Sequence, residues 1–191
     1  MLYSIGRFLL ACFYKICFRF EVQGSENIPK KDSFILVSNH VSNLDPVAIG
    51  IACSRHLNYM AKEELFRNRL FGFILNKVNV FPVKRNSADL SAIREAMRRV
   101  KKKQPLVLFP EGSRQNLSGP YPGVGFLSVK FNVPVIPAFI KGTELALPKG
   151  ARIIRFKKVC VRFGRRVSFD KNMPYEQITR MVMDDIRRLS A

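Results

Sequence analysis

His40 and Asp45 are the residues of this chain whose types and spacing best suit chemistry. They stand five positions apart in Asn39-His40-Val41-Ser42-Asn43-Leu44-Asp45-Pro46, and His40 is one of only two histidines. An imidazole takes up and releases a proton near neutral pH, and a carboxylate against one ring nitrogen fixes its tautomer and supports the imidazolium, which together make a general base. On a regular helix five residues turn the chain by about 140°, so these two groups meet only if the segment between them folds back as a loop. A second polar cluster, Pro110-Glu111-Gly112-Ser113-Arg114, offers complementary functions. Gly112 lets the main chain approach a ligand closely, and the planar guanidinium of Arg114 suits phosphate or carboxylate.

Both clusters follow short apolar runs that read as buried strands, 33–38 before His40 and 105–109 before Pro110. Polar groups at strand ends are where α/β folds build their sites. Asp45-Pro46 reads as a helix start, with Asp45 at the N-cap and Pro46 at the first helical position. Further strands are expected at 57–61, 78–81, 134–140 and 158–163, and helices at 46–54, 68–76, 87–103, 123–131 and 175–189. In the third of these helices Leu90, Ile93, Met97 and Val100 share a face behind a Ser87 cap. In the last, Ile178, Met181, Val182, Ile186 and Leu189 do so behind Pro174. The run Leu70-Phe71-Gly72-Phe73-Ile74-Leu75 reads as core, and 141–157, without a period, as loop-rich. Alternation of this kind predicts one α/β domain with a central, mostly parallel sheet flanked by helices. A length of 191 residues suits one domain rather than two.

His40-x-x-x-x-Asp45 followed by Phe109-Pro110-Glu111-Gly112-Ser113-Arg114 closely resembles the glycerolipid acyltransferases, specifically the 1-acyl-glycerol-3-phosphate acyltransferases, which make phosphatidic acid from lysophosphatidic acid and an acyl thioester. The likeness runs from Gly24 to Gly164. Val80-Phe81-Pro82-Val83-Lys84-Arg85 is similar to the family's second block, whose arginine contacts substrate phosphate, and Val133-Pro134-Val135-Ile136-Pro137 to its fourth, an apolar strand. The resemblance implies acyl transfer from acyl-CoA or acyl carrier protein to the sn-2 hydroxyl of the acceptor, without a cofactor. His40 would deprotonate that hydroxyl and Asp45 would orient His40, with no covalent enzyme intermediate because the acceptor is itself the nucleophile. Arg85 and Arg114 are the implied phosphate ligands, and amides near Gly112 and Ser113 the oxyanion donors or glycerol contacts. Glu111 would repel a phosphate and is assigned to holding an arginine or the loop within the same substrate-binding segment. One departure stands out: the family's lysine before the glycine-containing segment is missing from Tyr121-Pro122-Gly123-Val124-Gly125, and the next lysine is Lys130. That keeps open a different lysolipid acceptor for an enzyme of the same superfamily.

Composition restricts the partners. With 47% apolar and 25% charged residues the chain is globular. Its 33 Lys and Arg against 14 Asp and Glu give a net charge of +19, a field that calls for an anionic partner. No helix-turn-helix, zinc-finger or aromatic RNA-binding signature accompanies that charge. Nucleic acid is therefore not expected, and a basic nucleic-acid-binding domain is the distant alternative. Acyl-CoA, acyl carrier protein, lysophosphatidic acid and an anionic membrane surface all satisfy the field. Basic residues crowd 98–103, where a solvated helix end that favours the dipole and a functional contact both stay open. They also crowd 149–166, as Lys149, Arg152, Arg155, Lys157, Lys158, Arg162, Arg165 and Arg166, a density read as contact with anionic headgroups or a carrier-protein donor. Cys12, Cys17, Cys53 and Cys160 form no CxxC pair and share no spacing with the histidines, so neither a metal site nor a disulfide framework is expected and the thiols suit a reducing cytoplasm.

The first 20 residues are dense in large apolar side chains, but the longest uncharged apolar run is only Phe8 to Tyr14, against the roughly twenty residues a spanning helix needs. Arg7, Lys15 and Arg19 share an arc of about 120° with Ser4. This predicts an amphipathic interfacial helix over 1–22, followed by the catalytic domain over 23–191. It puts the protein at the cytoplasmic face of the cell membrane, peripheral or monotopic. A helix packed on the core is the alternative, and both hold if one face docks while the other meets lipid.

Overall fold

A computed structural model describes residues 2–84, 89–110 and 123–191, with side chains from residue 6 onward. Within them seven strands make one sheet: β1 (Glu21–Gln23), β2 (Ile35–Ser38), β3 (Asn58–Lys62), β4 (Val80–Val83), β5 (Leu106–Leu108), β6 (Val135–Lys141) and β7 (Cys160–Phe163). Their spatial order is β1-β7-β6-β2-β5-β3-β4. All neighbours run parallel except β6 and β7. The expected mostly parallel sheet is therefore present, as five parallel strands extended by a reversed pair at one edge.

The helices are α1 (Leu2–Cys17), α2 (Asp45–Ala52), α3 (Arg69–Lys77), α4 (Leu90–Lys101), α5 (Gly123–Phe131), the single turn α6 (Thr143–Ala146) and α7 (Tyr175–Arg188). They cover both faces of the sheet, which is why β2 is buried at every position and aliphatic from Ile35 to Val37. Leu36 faces a cluster built with Tyr14, Phe18, Ala48, Ile49 and Ile136. Its neighbours Ile35 and Val37 face the other way, onto Val124, Leu127, Ile178, Val182 and Ile186 of α5 and α7.

Several expectations are corrected. The apolar run 70–75 is not core: in α3 Leu70 is 72% exposed and Phe73 59%, and Gly72 is the helix's buried residue. The cap of α4 is Asp89, whose carboxylate accepts the amides of Ser91 and Ala92; Ser87 lies outside the described residues. The buried face of α4 is Ala92, Ala96 and Val100, and Leu90 is exposed. Small alanines let the helix approach the sheet while Arg99 packs its guanidinium over the Phe81 ring at 4.6 Å and donates to Asn79 O at 3.0 Å. That arginine, within the basic run 98–103, is thus a packing residue. In α7 Ile178, Val182 and Ile186 are buried as expected, but Met183 replaces Met181 on the core side. The stretch 141–157 contains α6, a turn too short to show a period, and β1 is likewise too short and too exposed to leave a pattern.

Helix α1 stops at Cys17, short of the expected 22, and the chain enters β1 at Glu21. Tyr14 and Phe18 are buried, with Ala11, Cys17 and Phe20 packed beside them, while Phe8, Leu9, Leu10, Phe13 and Ile16 stay exposed. One face docks and the other does not.

Gly142, at φ 95°, turns the chain from β6 into α6. A Cβ there would overlap the carbonyl oxygen of Lys158 as well as adopt a left-handed conformation. Gly142→Ala is therefore expected to destabilise the fold by roughly 1–3 kcal/mol, read from the midpoint of urea unfolding; a midpoint equal to wild type would contradict this account of the turn.

Candidate active site at the carboxyl edge of the sheet

Where β2 ends, the side chain of Asn39 takes over the strand's role. Its Nδ2 donates to Ile140 O at 2.8 Å and its Oδ1 accepts the Ile140 amide at 2.8 Å. This two-way bond holds the departing chain against β6. The next residues wrap around one carboxylate. The amides of Val41 and Ser42 donate to Asp45 Oδ2 at 2.7 and 2.8 Å, and His40 Nδ1 lies 2.8 Å from the same oxygen. Thr143 donates its hydroxyl to Oδ1 at 2.5 Å. Asp45 and Thr143 are both fully buried.

The helix beginning is one residue off the expectation. α2 starts at Asp45 itself, with Leu44 at the N-cap. The carboxylate does not cap its own helix because it is committed to the loop amides behind it. Removing an anion from water costs several kcal/mol even after relaxation. Here four donors meet it, each charge-assisted bond contributing about 1.5–3 kcal/mol, and the loop is closed in the process.

With Nδ1–H given to Asp45, Nε2 of His40 keeps the lone pair, a tautomer assigned from the bonding pattern. The ring is 16% exposed and stacks on Phe109, with centroids 4.4 Å apart and planes at 27°. Phe109 follows β5, the parallel neighbour of β2, so Phe109 and His40 leave the sheet side by side. Stacking and the Asp45 bond together fix the imidazole's plane and its rotation.

Supporting contacts come from segments that sequence reasoning passed over. Ser42, fully buried, donates to Leu147 O at 2.9 Å. Tyr59 donates to Pro46 O at 3.0 Å, pinning the first turn of α2. Tyr14 of α1 is buried nearby, and among the described residues its hydroxyl has no hydrogen-bond partner. Burial first, and the Asp45 carboxylate second, push that phenol up to about 12. Thr143 is 98 positions from Asp45, so no local spacing announces it; the one sequence signal is the glycine that ends the β6 run. Arg85, Glu111, Gly112, Ser113, Arg114 and Tyr121 lie outside the described residues. His56 is exposed, and among the described residues no three His, Cys, Asp or Glu side chains gather as a metal site would require.

A family model described as Acyltransferase matches residues 19–141, a span that includes both polar clusters. The chain belongs to the acyltransferase family. Among its relatives, the 1-acyl-sn-glycerol-3-phosphate acyltransferase of Bacillus subtilis is 29% identical over 124 residues, 64% of this chain and 62% of that protein. The protein of the same name in Streptococcus pneumoniae is 32% identical over 148 residues, 75% of this chain and 53% of that protein. The chain thus spans little more than half the length of these curated relatives. The crystal structure of the 1-acyl-sn-glycerophosphate acyltransferase PlsC from Thermotoga maritima superposes with a TM-score of 0.77 at 27% identity, over 96% of this chain and 78% of that one.

In this acyltransferase-family chain the Thr143 bond can be tested apart from any reaction. Thr143→Val keeps the shape but leaves Asp45 Oδ1 buried without its donor, with an expected loss of about 1–3 kcal/mol. Thr143→Ser, which restores a hydroxyl, is expected to recover most of it in the same unfolding measurement. Equal stability of the valine variant and wild type would rule out the bond as drawn.

Proposed function

We propose that the chain transfers a fatty acyl group from an acyl thioester to the sn-2 hydroxyl of 1-acyl-glycerol-3-phosphate, forming phosphatidic acid. The observation that carries this is the His40–Asp45 contact at 2.8 Å, which leaves Nε2 as the proton acceptor beside Phe109. Nε2 takes the proton of the acceptor hydroxyl as its oxygen attacks the thioester carbonyl. The tetrahedral intermediate then expels the thiolate, which recovers the proton from the imidazolium, and ester and free thiol leave. Asp45 supports the imidazolium but takes no proton itself. The acceptor is the nucleophile, so no serine is needed.

Glu111 follows Pro110 directly in the chain, and the segment Glu111, Gly112, Ser113 and Arg114 is assigned to the substrate. Arg114 and Arg85 hold the phosphate, amides of Gly112 and Ser113 receive the oxyanion or glycerol, and Glu111 steadies the loop or an arginine. The donor is acyl-CoA or acyl carrier protein; both are anionic and both suit a chain of net charge +19. Segment 1–22 is read as the interfacial element and 23–191 as the catalytic domain. In support, α1 exposes Phe8, Leu9, Phe13 and Ile16 opposite its docked face, and among the described residues no helix is long and apolar enough to cross a membrane. The site then works at the bilayer surface, on its cytoplasmic face. A second reading, another lysolipid acceptor, is favoured by one feature: Tyr121-Pro122 stands where the family's lysine is usual.

Purified protein in anionic micelles with lysophosphatidic acid and a long-chain acyl thioester is expected to form phosphatidic acid, and His40→Ala to lose several orders of magnitude in kcat. Activity surviving in the variant would move the base elsewhere. Equal rates with lysophosphatidylglycerol would remove the preference for a phosphomonoester and select the second reading.

A further inference from the structure

The chain between α6 and β7, residues 147–159, is an irregular strap that is anchored at both ends and bare in the middle. At its start, Leu147 O accepts the Ser42 hydroxyl, and α6 just before it supplies Thr143 to Asp45. The Arg155 amide closes the strap onto Ala146 O at 2.7 Å. At its end, the Val159 amide donates to Phe18 O at 2.9 Å, and Val159 O accepts the Glu21 amide at 3.0 Å. The strap therefore joins the loop that carries His40 to the foot of α1.

Between those anchors every residue from Arg152 to Lys158 is exposed. Ile153 is 78% exposed and Phe156 66%, with Ile154 partly so. The Phe156 ring meets Phe13 of α1 and the buried Phe18 just beyond it edge-on, at 6.5 and 5.9 Å between centroids, and through Phe13 the strap's apolar surface is continuous with the exposed side of that helix. The apolar residues alternate with Arg152, Arg155, Lys157 and Lys158, and no acidic residue occurs from Leu145 to Phe169. Of these cations Lys158 is paired, with Glu21 at 2.6 Å.

We propose that this strap is a bilayer-docking surface, inserting Ile153, Ile154 and Phe156 among lipid chains while its basic residues meet anionic headgroups. Large apolar side chains held outward in water gain only when something apolar covers them. Alternation with cations on a non-helical segment fits the headgroup boundary, where both kinds of side chain are satisfied at once. The class of partner rests on the membrane-surface reading given above. The addition is that a second element besides α1 makes the contact, and that it is hydrogen-bonded to the candidate catalytic loop. Docking then holds His40 at a set height above the lipid.

The chain contains no tryptophan, so Ile153→Trp introduces a single reporter at an exposed position. On vesicles of phosphatidylcholine and phosphatidylglycerol, its emission is expected to shift to the blue and to be quenched by brominated acyl chains. Ile153→Asp is expected to weaken co-sedimentation with the same vesicles by roughly tenfold, with activity in detergent micelles and far-UV circular dichroism unchanged. A solvent-like, unquenched tryptophan on protein that still co-sediments would overturn the proposal and leave α1 as the contact. So would a blue shift produced without lipid, either by an acidic acyl carrier protein or by raising the protein concentration. The fluorescence and sedimentation require no turnover. An inactive protein that docks refutes only the proposed reaction, and an active protein with a solvent-exposed, unshifted reporter refutes only the strap.

Discussion

One buried carboxylate organises the centre of this molecule. Asp45 has no access to water, so its negative charge is tolerable only while donors surround it. Those donors come from three places: the imidazole of His40, the amides of Val41 and Ser42, and the hydroxyl of Thr143. Meeting them bends 40–45 into the loop that brings residues five apart together, against the rotation a helix would impose. The same requirement draws α6 under the loop, and with it the glycine turn at Gly142 whose φ no other residue adopts without strain.

The reversed edge of the sheet follows from that arrangement. A parallel β6–β7 connection would need a crossover over one face. Instead the chain turns at Gly142, makes one turn of helix, crosses beside α1 and returns antiparallel through β7. Pro137 sits in β6, an interior strand where proline removes a ladder bond. It is tolerated because the chain just past β7 bulges opposite it: Ala138 pairs with Phe163, yet Val135 pairs with Val167, one residue more than regular pairing allows.

Much of this is legible in the sequence, for identifiable reasons. Strands covered on both faces are apolar over most of their length, so β2, β5 and β6 announce themselves, and Asp45-Pro46 announces a helix to within one residue. The two apolar segments that depart from expectation share one cause: composition reports apolarity but not what it faces. Leu70 to Leu75 is as apolar as a core helix and is mostly exposed, while the buried side of α4 joins the expected Val100 to two alanines that look unremarkable beside Leu90. The His40–Asp45 pair could be named from spacing and resemblance, but Thr143, Asn39 and Ser42 could not. Their partners lie about a hundred positions away, and short polar residues at that separation carry no pattern.

Parallel topology also constrains how the proposed substrate contacts are shared. The carboxyl ends of β2, β5 and β4 all lie on one edge of the sheet, and they are followed by Asn39-His40, Phe109-Pro110 and Lys84 respectively. The first two strands are adjacent, which is why Phe109 can stack on His40. β4 stands three strands from β2, or about 14 Å at the usual spacing. The residues that follow β5 therefore leave the sheet beside His40. Lys84 leaves it from the far side of β3, so the plane of the imidazole is set by the strand next to its own rather than by one three strands away.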